Sequence, residues 1–387
     1  MMHLPEVNAL LADTGTPPVP EAKAWLQGYD GSRGPAIDLS QAAPAQSPPP
    51  ELMKALSAAA ADPASARYGP IRGEDSIRAA YAAEMSRAYD AVIGPEASVI
   101  VSGCNQAFLM AVLAIARAGD AVMLPAPWYF NHKMALDMLG VGSVPLPCHA
   151  DNGFVPDLAE AAKLLTPRTR AIVLVTPNNP TGAVYPPETL RLFADLAESR
   201  GLWLILDETY RDFLPPGQQR PHDLFANGIP NHVIQLYSFS KAYCLPGYRL
   251  GAITAPSRIM ADLAKVLDTI QICPPRVGQI ALGEVMAGTL PWREGNRQMI
   301  AERAAAFREA MLPLNAWQVG SVGAYFAYVR PPAWEGGAAN LARQLANQNG
   351  VLALPGSYFG PGQEDWLRIA FANADHAALG QLAGRLR

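Results

Sequence analysis

Six short apolar runs, separated by tracts of helical length, restrict what this chain can fold into more than any other feature of its sequence. They are "SVIV" from 98, "AVMLP" from 121, "AIVLV" from 171, "LWLIL" from 202, "VIQLY" from 233 and "LGAIT" from 250. Each is apolar at consecutive rather than alternate positions, so each needs cover on both faces. Between several of them lie helix-length tracts: Asn105–Arg117, the stretch beginning at Asn131, and Pro187–Arg200. Continuous strands alternating with helices predict an α/β fold, a mostly parallel sheet flanked by helices. The run from 250 follows its predecessor too closely for a crossover helix, and is expected to run antiparallel.

Outside this region the alternation stops. Pro256 to about Ala287 reads as a long helical tract and Trp292–Ala310 as another helix, followed by "AYFAYV", "VLALPG" and "WLRIAF" as strands. Near the N-terminus only "EAKAWLQGY" has helical character, and "APAQSPPP", Ala43–Pro50, is a connection. A chain of 387 residues exceeds one typical core. The expected division is a large α/β domain over 45–285, with 1–44 and 286–387 forming a smaller α+β domain.

Composition removes several classes of function. Half of the residues are hydrophobic and 17% are charged, which makes the chain globular and not disordered. A net charge of −4 without a basic cluster argues against a nucleic-acid partner. Apolar tracts such as "LMAVLAIA" fall well short of the roughly 20 residues that span a bilayer, so no membrane partner is expected. "MMHLPEVNALLADTG" lacks the basic and apolar regions of a secretory signal. Cys104, Cys148, Cys244 and Cys273 show no paired spacing, as expected of reduced thiols in a cytoplasmic protein. The six histidines form no metal-ligand motif, so no metal is expected.

In an open parallel sheet, ligands bind beyond the carboxyl ends of the strands. The residues found there are Ser102-Gly103-Cys104-Asn105, "APWYFNH" (126–132), "TPNNPTG" (176–182), Asp207-Glu208-Thr209-Tyr210 and "SFSK", ending at Lys241. Five successive strand ends carrying polar or aromatic groups predict a site along one rim. Taken singly, each has an ordinary alternative. Ser102-Gly103 reads either as an N-cap and tight turn or as an anion cradle at a helix N-terminus. "NNPTG" is rich in turn formers, and Lys241 alone reads as a solvated loop cation. Asp207 is harder to dismiss, because an acid closing an apolar strand needs a partner. Tyr210, three residues on, reaches the same rim if the chain turns helically. No Walker loop and no G-x-G-x-x-G fingerprint is present, which sets a nucleotide-binding Rossmann protein aside.

Together "SFSKAYCLPGYRLG", "TPNNPTG", "DETY" and the late "WLRIAF" resemble the class I/II aminotransferases, aspartate aminotransferase-like enzymes of pyridoxal-phosphate fold type I. The resemblance runs from about Tyr68 to Arg368. It implies a seven-stranded, mostly parallel sheet in the large domain, pyridoxal 5'-phosphate as cofactor, and a homodimer. It also implies ping-pong transfer of an amino group between an α-amino acid and a 2-oxo acid.

Site roles follow from the same resemblance. Lys241 resembles the Schiff-base lysine and proton shuttle, and Asp207 the acid that keeps the pyridine nitrogen protonated. Asn179 and Tyr210 are similar to the pair bonding the ring's phenolic oxygen. Tyr129 stands where an aromatic stacks on the ring, with Trp128 its neighbouring rival. The phosphate is implied to rest on Gly103, Cys104 and Asn105, with Ser238, Ser240 and Arg249 completing the cup. Tyr68 resembles the tyrosine that reaches it from the other subunit. Arg368 looks like the arginine that grips the substrate carboxylate, beside Asn179.

Two departures bear on the substrate. "SQAAPAQSPPP" replaces a G-x-P-D segment, and neutral Asn105 stands where dicarboxylate-specific relatives can carry lysine. Neutral or aromatic amino acids are therefore expected over dicarboxylic ones. A β-lyase of the cysteine-S-conjugate type is the alternative with the same cofactor. A non-catalytic, cofactor-binding regulatory protein is a further one, opposed by intact Lys241, Asp207 and Arg368.

Overall fold

The computed structural model describes residues 5–387. The first four residues of the N-terminal segment, assigned above to the smaller domain, lie outside the described residues. A two-residue strand, β1 (Ile37–Asp38), comes first. Seven strands follow: β2 (Ser98–Val101), β3 (Ala121–Ala126), β4 (Gly142–Pro147), β5 (Thr169–Val175), β6 (Trp203–Asp207), β7 (Val233–Ser238) and β8 (Gly251–Thr254). These seven form one sheet in the order β2-β8-β7-β6-β5-β3-β4. Strand β8 runs antiparallel to β2 and β7, and the remaining pairs are parallel. The carboxyl ends of β2, β3, β5, β6 and β7 therefore share one edge.

Side-chain alternation explains why the central runs are apolar throughout. Along β5, Ile172 and Leu174 join the core on one face, and Ala171, Val173 and Val175 the core on the other. Strand β6 repeats this with Leu204 and Leu206 opposite Ile205. The first face is covered by helices Asp75–Tyr89 and Pro187–Ser199, which contribute Tyr81 and Phe193. Helices Cys104–Ile115 and Ser257–Gln271 cover the second, through Phe108 and Leu263. Strand β4 was not among the six runs. It lies at the sheet edge, is mostly solvent-facing, and carries Pro145 and Pro147, which an edge position accommodates.

The helical tract expected over 256–287 is two helices, Ser257–Gln271 and Arg276–Val285. Pro274 and Pro275 lack the N–H groups needed to continue the first, and Ile272 adopts a positive φ of 65°. Helix Leu290–Met311 then leads to β9 (Gln318–Gly323), β10 (Phe326–Arg330), β11 (Val351–Leu352), β12 (Leu354–Pro355) and β13 (Leu367–Ile369). Four of these make an antiparallel sheet, β12-β13-β10-β9, while β11 pairs in parallel with β1 and draws in the N-terminal segment. A separate core forms here from Ile300, Phe307, Phe326, Leu345 and Ile369, with Ile37 and Leu39 from the N-terminal segment. Tyr210 and Phe213, just past the end of β6, also enter it. No helix among the described residues is long and apolar enough to cross a membrane.

Candidate active site

A cavity of about 470 Å³ opens at the carboxyl edge of the large sheet, against the second core. Of the residues implied for the phosphate, Cys104, Asn105, Ser238, Ser240 and Arg249 line it. Tyr129, Asn179, Asp207, Tyr210, Lys241 and Arg368 complete the expected set. Gly103 lies directly behind the lining. Its φ of +87° suits glycine, and a Cβ there would collide with the Arg249 guanidinium. Tyr68 is not brought in; it lies outside the cavity, 78% exposed.

Asp207 ends β6 and is nearly fully buried. Its Oδ2 lies 3.1 Å from Nε2 of His132, and its Oδ1 accepts from the Thr209 hydroxyl at 2.7 Å and the Thr209 N–H at 3.0 Å. The Cys104 thiol is 3.6 Å from Oδ1. Burial alone raises this carboxyl's pKa; the bond and charge of His132, with the Thr209 donors, outweigh it and hold the group below its ordinary value. Asp207 is therefore a fixed anion on the cavity floor.

Lys241 sits in the short helix Phe239–Ala242 that follows β7. Its ammonium donates to the Ala42 carbonyl and lies 5.8 Å from the centre of the Tyr210 ring. Burial, then the positive charges of Arg368 and Arg249, push its pKa down to about 8. A lysine so placed has a usable fraction of neutral amine near physiological pH.

Arg368, on β13, is buried and packs over the rings of Phe326 and Phe359 at 5.1 and 4.9 Å. One Nη donates to Asn179 Oδ1 at 2.9 Å and the other to the Ser40 carbonyl, but its Nε has no partner. Burial lowers its pKa to about 10, against the opposing pull of Tyr210, Tyr129, Tyr328 and Asp38. A buried guanidinium with a free N–H is ready for an incoming anion. Tyr210 meets Phe326 edge-on and Tyr325 at a tilt, at 5.2 and 5.4 Å between ring centres.

Of the two aromatic rivals, Tyr129 faces the cavity and its hydroxyl accepts from Asn131 at 2.9 Å. Trp128 is buried elsewhere, with its backbone N–H on the Phe359 carbonyl and its ring against Gly360. The sequence assigns no individual role to His132, Thr209, Gln41 or Ala42, although each lies in a stretch singled out above. His132 was visible as the last residue of "APWYFNH", three places after Tyr129 and so on the same helical face. Gln41 and Ala42 lie in "SQAAPAQSPPP", but only the N-terminal segment's path places them at the cavity. Among the described residues no cluster of ligating side chains could hold a metal ion.

Residues 35–386 match the family model described as aminotransferase class I and II. Aromatic aminotransferase ISS1 of Arabidopsis thaliana is 27% identical over 358 residues, 91% of this chain and 89% of that protein. A crystal structure of an aminotransferase from Mycobacterium tuberculosis superposes with a TM-score of 0.91 at 26% identity, covering 98% of each chain. A double mutant of Thermus thermophilus aspartate aminotransferase gives 0.89 at 24% identity over 99% of each chain, a likeness of fold. With the family model spanning nearly the whole chain and the fold agreeing end to end, this protein belongs to the class I and II aminotransferases.

Proposed function

We propose that this aminotransferase uses pyridoxal 5'-phosphate held in the cavity, and exchanges an amino group between a neutral or aromatic α-amino acid and a 2-oxo acid in two half-reactions. The observation that carries this reading is the sharing of one cavity by a lysine of lowered pKa, a buried arginine with a free N–H, and a buried anionic aspartate.

The residues present fit the cofactor. Arg249, Ser238, Ser240 and the first N–H groups of helix Cys104–Ile115, exposed by Gly103, would hold a phosphate dianion. Tyr129 would cover the ring, Asn179 and Tyr210 would bond its phenolic oxygen, and Asp207 would keep its nitrogen protonated. When bound, the cofactor supplies an electron sink for the charge left at the substrate Cα. Arg368 receives the substrate carboxylate, which satisfies its unpaired Nε. The Lys241 amine removes the proton from Cα, a task suited to its pKa of about 8.

Charge within the cavity supports the substrate preference. Among the described residues, Lys241, Arg249 and Arg368 are the cations lining the cavity. With these engaged by the aldehyde, the phosphate and the α-carboxylate, none remains for a second carboxylate. Asn105 and Asn131 are neutral, and Pro17, Val19 and Phe130 add apolar wall. The wider reading includes a large unit over 45–285 and a smaller one of 1–44 and 286–387, supported by the two sheets and the separate core. It also includes a homodimer in which Tyr68 reaches the partner's phosphate, and a cytoplasmic location in keeping with four free cysteines.

A panel of amino acids tests this on protein reconstituted with the cofactor, by visible absorption and assays for 2-oxo acid and ammonia. Neutral and aromatic donors are expected to exceed aspartate by about tenfold or more in kcat/KM, without stoichiometric ammonia. Ammonia and pyruvate from cysteine conjugates would instead establish β-lyase chemistry. Lys241→Ala is expected to lose about 10³-fold or more in turnover; normal activity in that variant refutes the role of Lys241. Failure to acquire visible absorption removes the cofactor assignment.

A further inference from the structure

Behind the cavity wall lies a layer of charge that the proposed reaction does not use. The 3₁₀ turn Arg211–Phe213 follows Tyr210 directly, and its residues point two ways. Tyr210 and Phe213 enter the second core, Phe213 meeting the Tyr325 ring edge-on at 4.9 Å. Arg211 turns the other way, under the large sheet, and is only 4% exposed. It forms no ion pair among the described residues, although a buried unpaired cation is costly.

Aromatic rings take the place of the missing carboxylate. The guanidinium carbon lies 3.9 Å from the Tyr237 ring centre and 5.5 Å from those of Tyr81 and Tyr89. These rings come from β7 and from helix Asp75–Tyr89, so the cage is closed by two elements outside the turn. Cation–π attraction is strongest where the cation is desolvated, as here. The Arg211 Nη1 also donates to the Tyr89 hydroxyl at 3.4 Å, and that hydroxyl donates to Glu208, the neighbour of Asp207. Asp212 fastens the same turn by accepting from the Tyr237 hydroxyl at 2.7 Å and from Arg293 at 3.1 Å.

We propose that Arg211 is a positioning residue for the active cavity: its guanidinium, held among three tyrosine rings, fixes the turn that carries Tyr210 and so keeps that ring closed against Lys241. The proposal rests on the reading of Lys241 and Tyr210 given above. Removing the cation leaves the turn held by the second core and by the Asp212 contacts alone. Tyr210 then loosens and water enters the cavity. Desolvation is the largest influence on the Lys241 amine, ahead of Arg368, Arg249, Cys104 and Cys244. Hydration therefore moves that amine towards an ordinary lysine.

The test uses the full chain, with and without pyridoxal 5'-phosphate, as wild type, Arg211→Met, Arg211→Gln and Arg211→Lys. Without cofactor, competitive acetylation across pH, read by mass spectrometry at the Lys241 peptide, gives the titration midpoint of that amine. In Arg211→Met the midpoint is expected to rise by about one unit. In the loaded enzyme kcat falls about tenfold while KM changes less than about twofold, as for a group acting on the transition state alone. Arg211→Lys, which keeps a cation for the rings, stays near wild type in both. Should Arg211→Met not fold, Arg211→Gln must show the same rise. A folded Met or Gln variant with midpoint and kcat unchanged overturns the proposal, as does Arg211→Lys matching the uncharged variants. Because the midpoint is read without cofactor, failure here leaves the cofactor assignment standing. Conversely, a wild type that binds no cofactor fails the assignment and leaves this measurement valid.

Discussion

Burial of Asp207 raises its pKa, and the bond and charge of His132, with the two Thr209 donors, bring it below the ordinary value. The imidazole that does this is itself held in place, stacked on Phe108 at 4.0 Å between ring centres. His132→Phe keeps the aromatic packing and deletes the partner. Burial then faces only the Thr209 donors, so the carboxyl's pKa climbs and its anionic form is lost at higher pH. The acid limb of the kcat/KM profile is expected to move up by about one unit or more. A pH–rate series on the two proteins checks this, and superimposable acid limbs would contradict the role given to His132. The sign is fixed by the direction of the present shift: a depressed carboxyl stays charged as pH falls, and restoring its pKa shortens that range.

At the scale of elements, helix Asp75–Tyr89 is joined to helix Leu290–Met311 by a buried ion pair, Glu84 with Arg293, 2.9 Å apart. Arg87 adds a second contact to the same carboxylate at 2.7 Å. Burial raises the Glu84 pKa, but the bonds from Arg293 and Arg87 prevail and take it from 4.5 down to about 2. A carboxyl depressed on folding contributes stability that is fully present above its unfolded pKa and lost as pH falls through the folded one. The window here is from about 4.5 down to about 2. The shift corresponds to about 3 kcal/mol at neutral pH. Glu84→Gln is expected to cost that amount in urea unfolding at pH 7, with the difference from wild type shrinking towards pH 2. A difference that stays constant with pH would locate the effect in packing instead of charge.

For the whole molecule, the exposed apolar side chains Tyr68, Ile71, Ile270 and Ile272 carry the homodimer proposal. Their two segments adjoin, since the Gly69 N–H donates to Cys273 Sγ at 3.3 Å. Neighbouring apolar side chains of this kind mark an interface on an otherwise polar surface. Sedimentation is expected to give 2 × 41.3 kDa, and Ile272→Glu to shift the protein to 41.3 kDa with weaker cofactor retention. A wild type that sediments as a single chain would remove the shared-site assignment of Tyr68. The sequence by itself determined the parallel sheet, its antiparallel β8 and the rim on which Lys241, Asp207 and Asn179 fall. Strands covered on both faces must be apolar throughout, and the residues ending the strands of one direction land on one edge whatever the rest of the chain does. Strands β4 and β9 escaped because edge or partly exposed strands are under no such demand. Tertiary structure alone decided that Tyr129 and not Trp128 faces the cavity, that His132 meets Asp207, and that Arg368 binds Asn179 across 189 residues of chain. It also laid the Ser40 and Ala42 carbonyls on Arg368 and Lys241, and closed three tyrosine rings around Arg211. Those contacts join residues remote in sequence. They depend on how the two cores pack against each other, a relation that no local pattern of residues encodes.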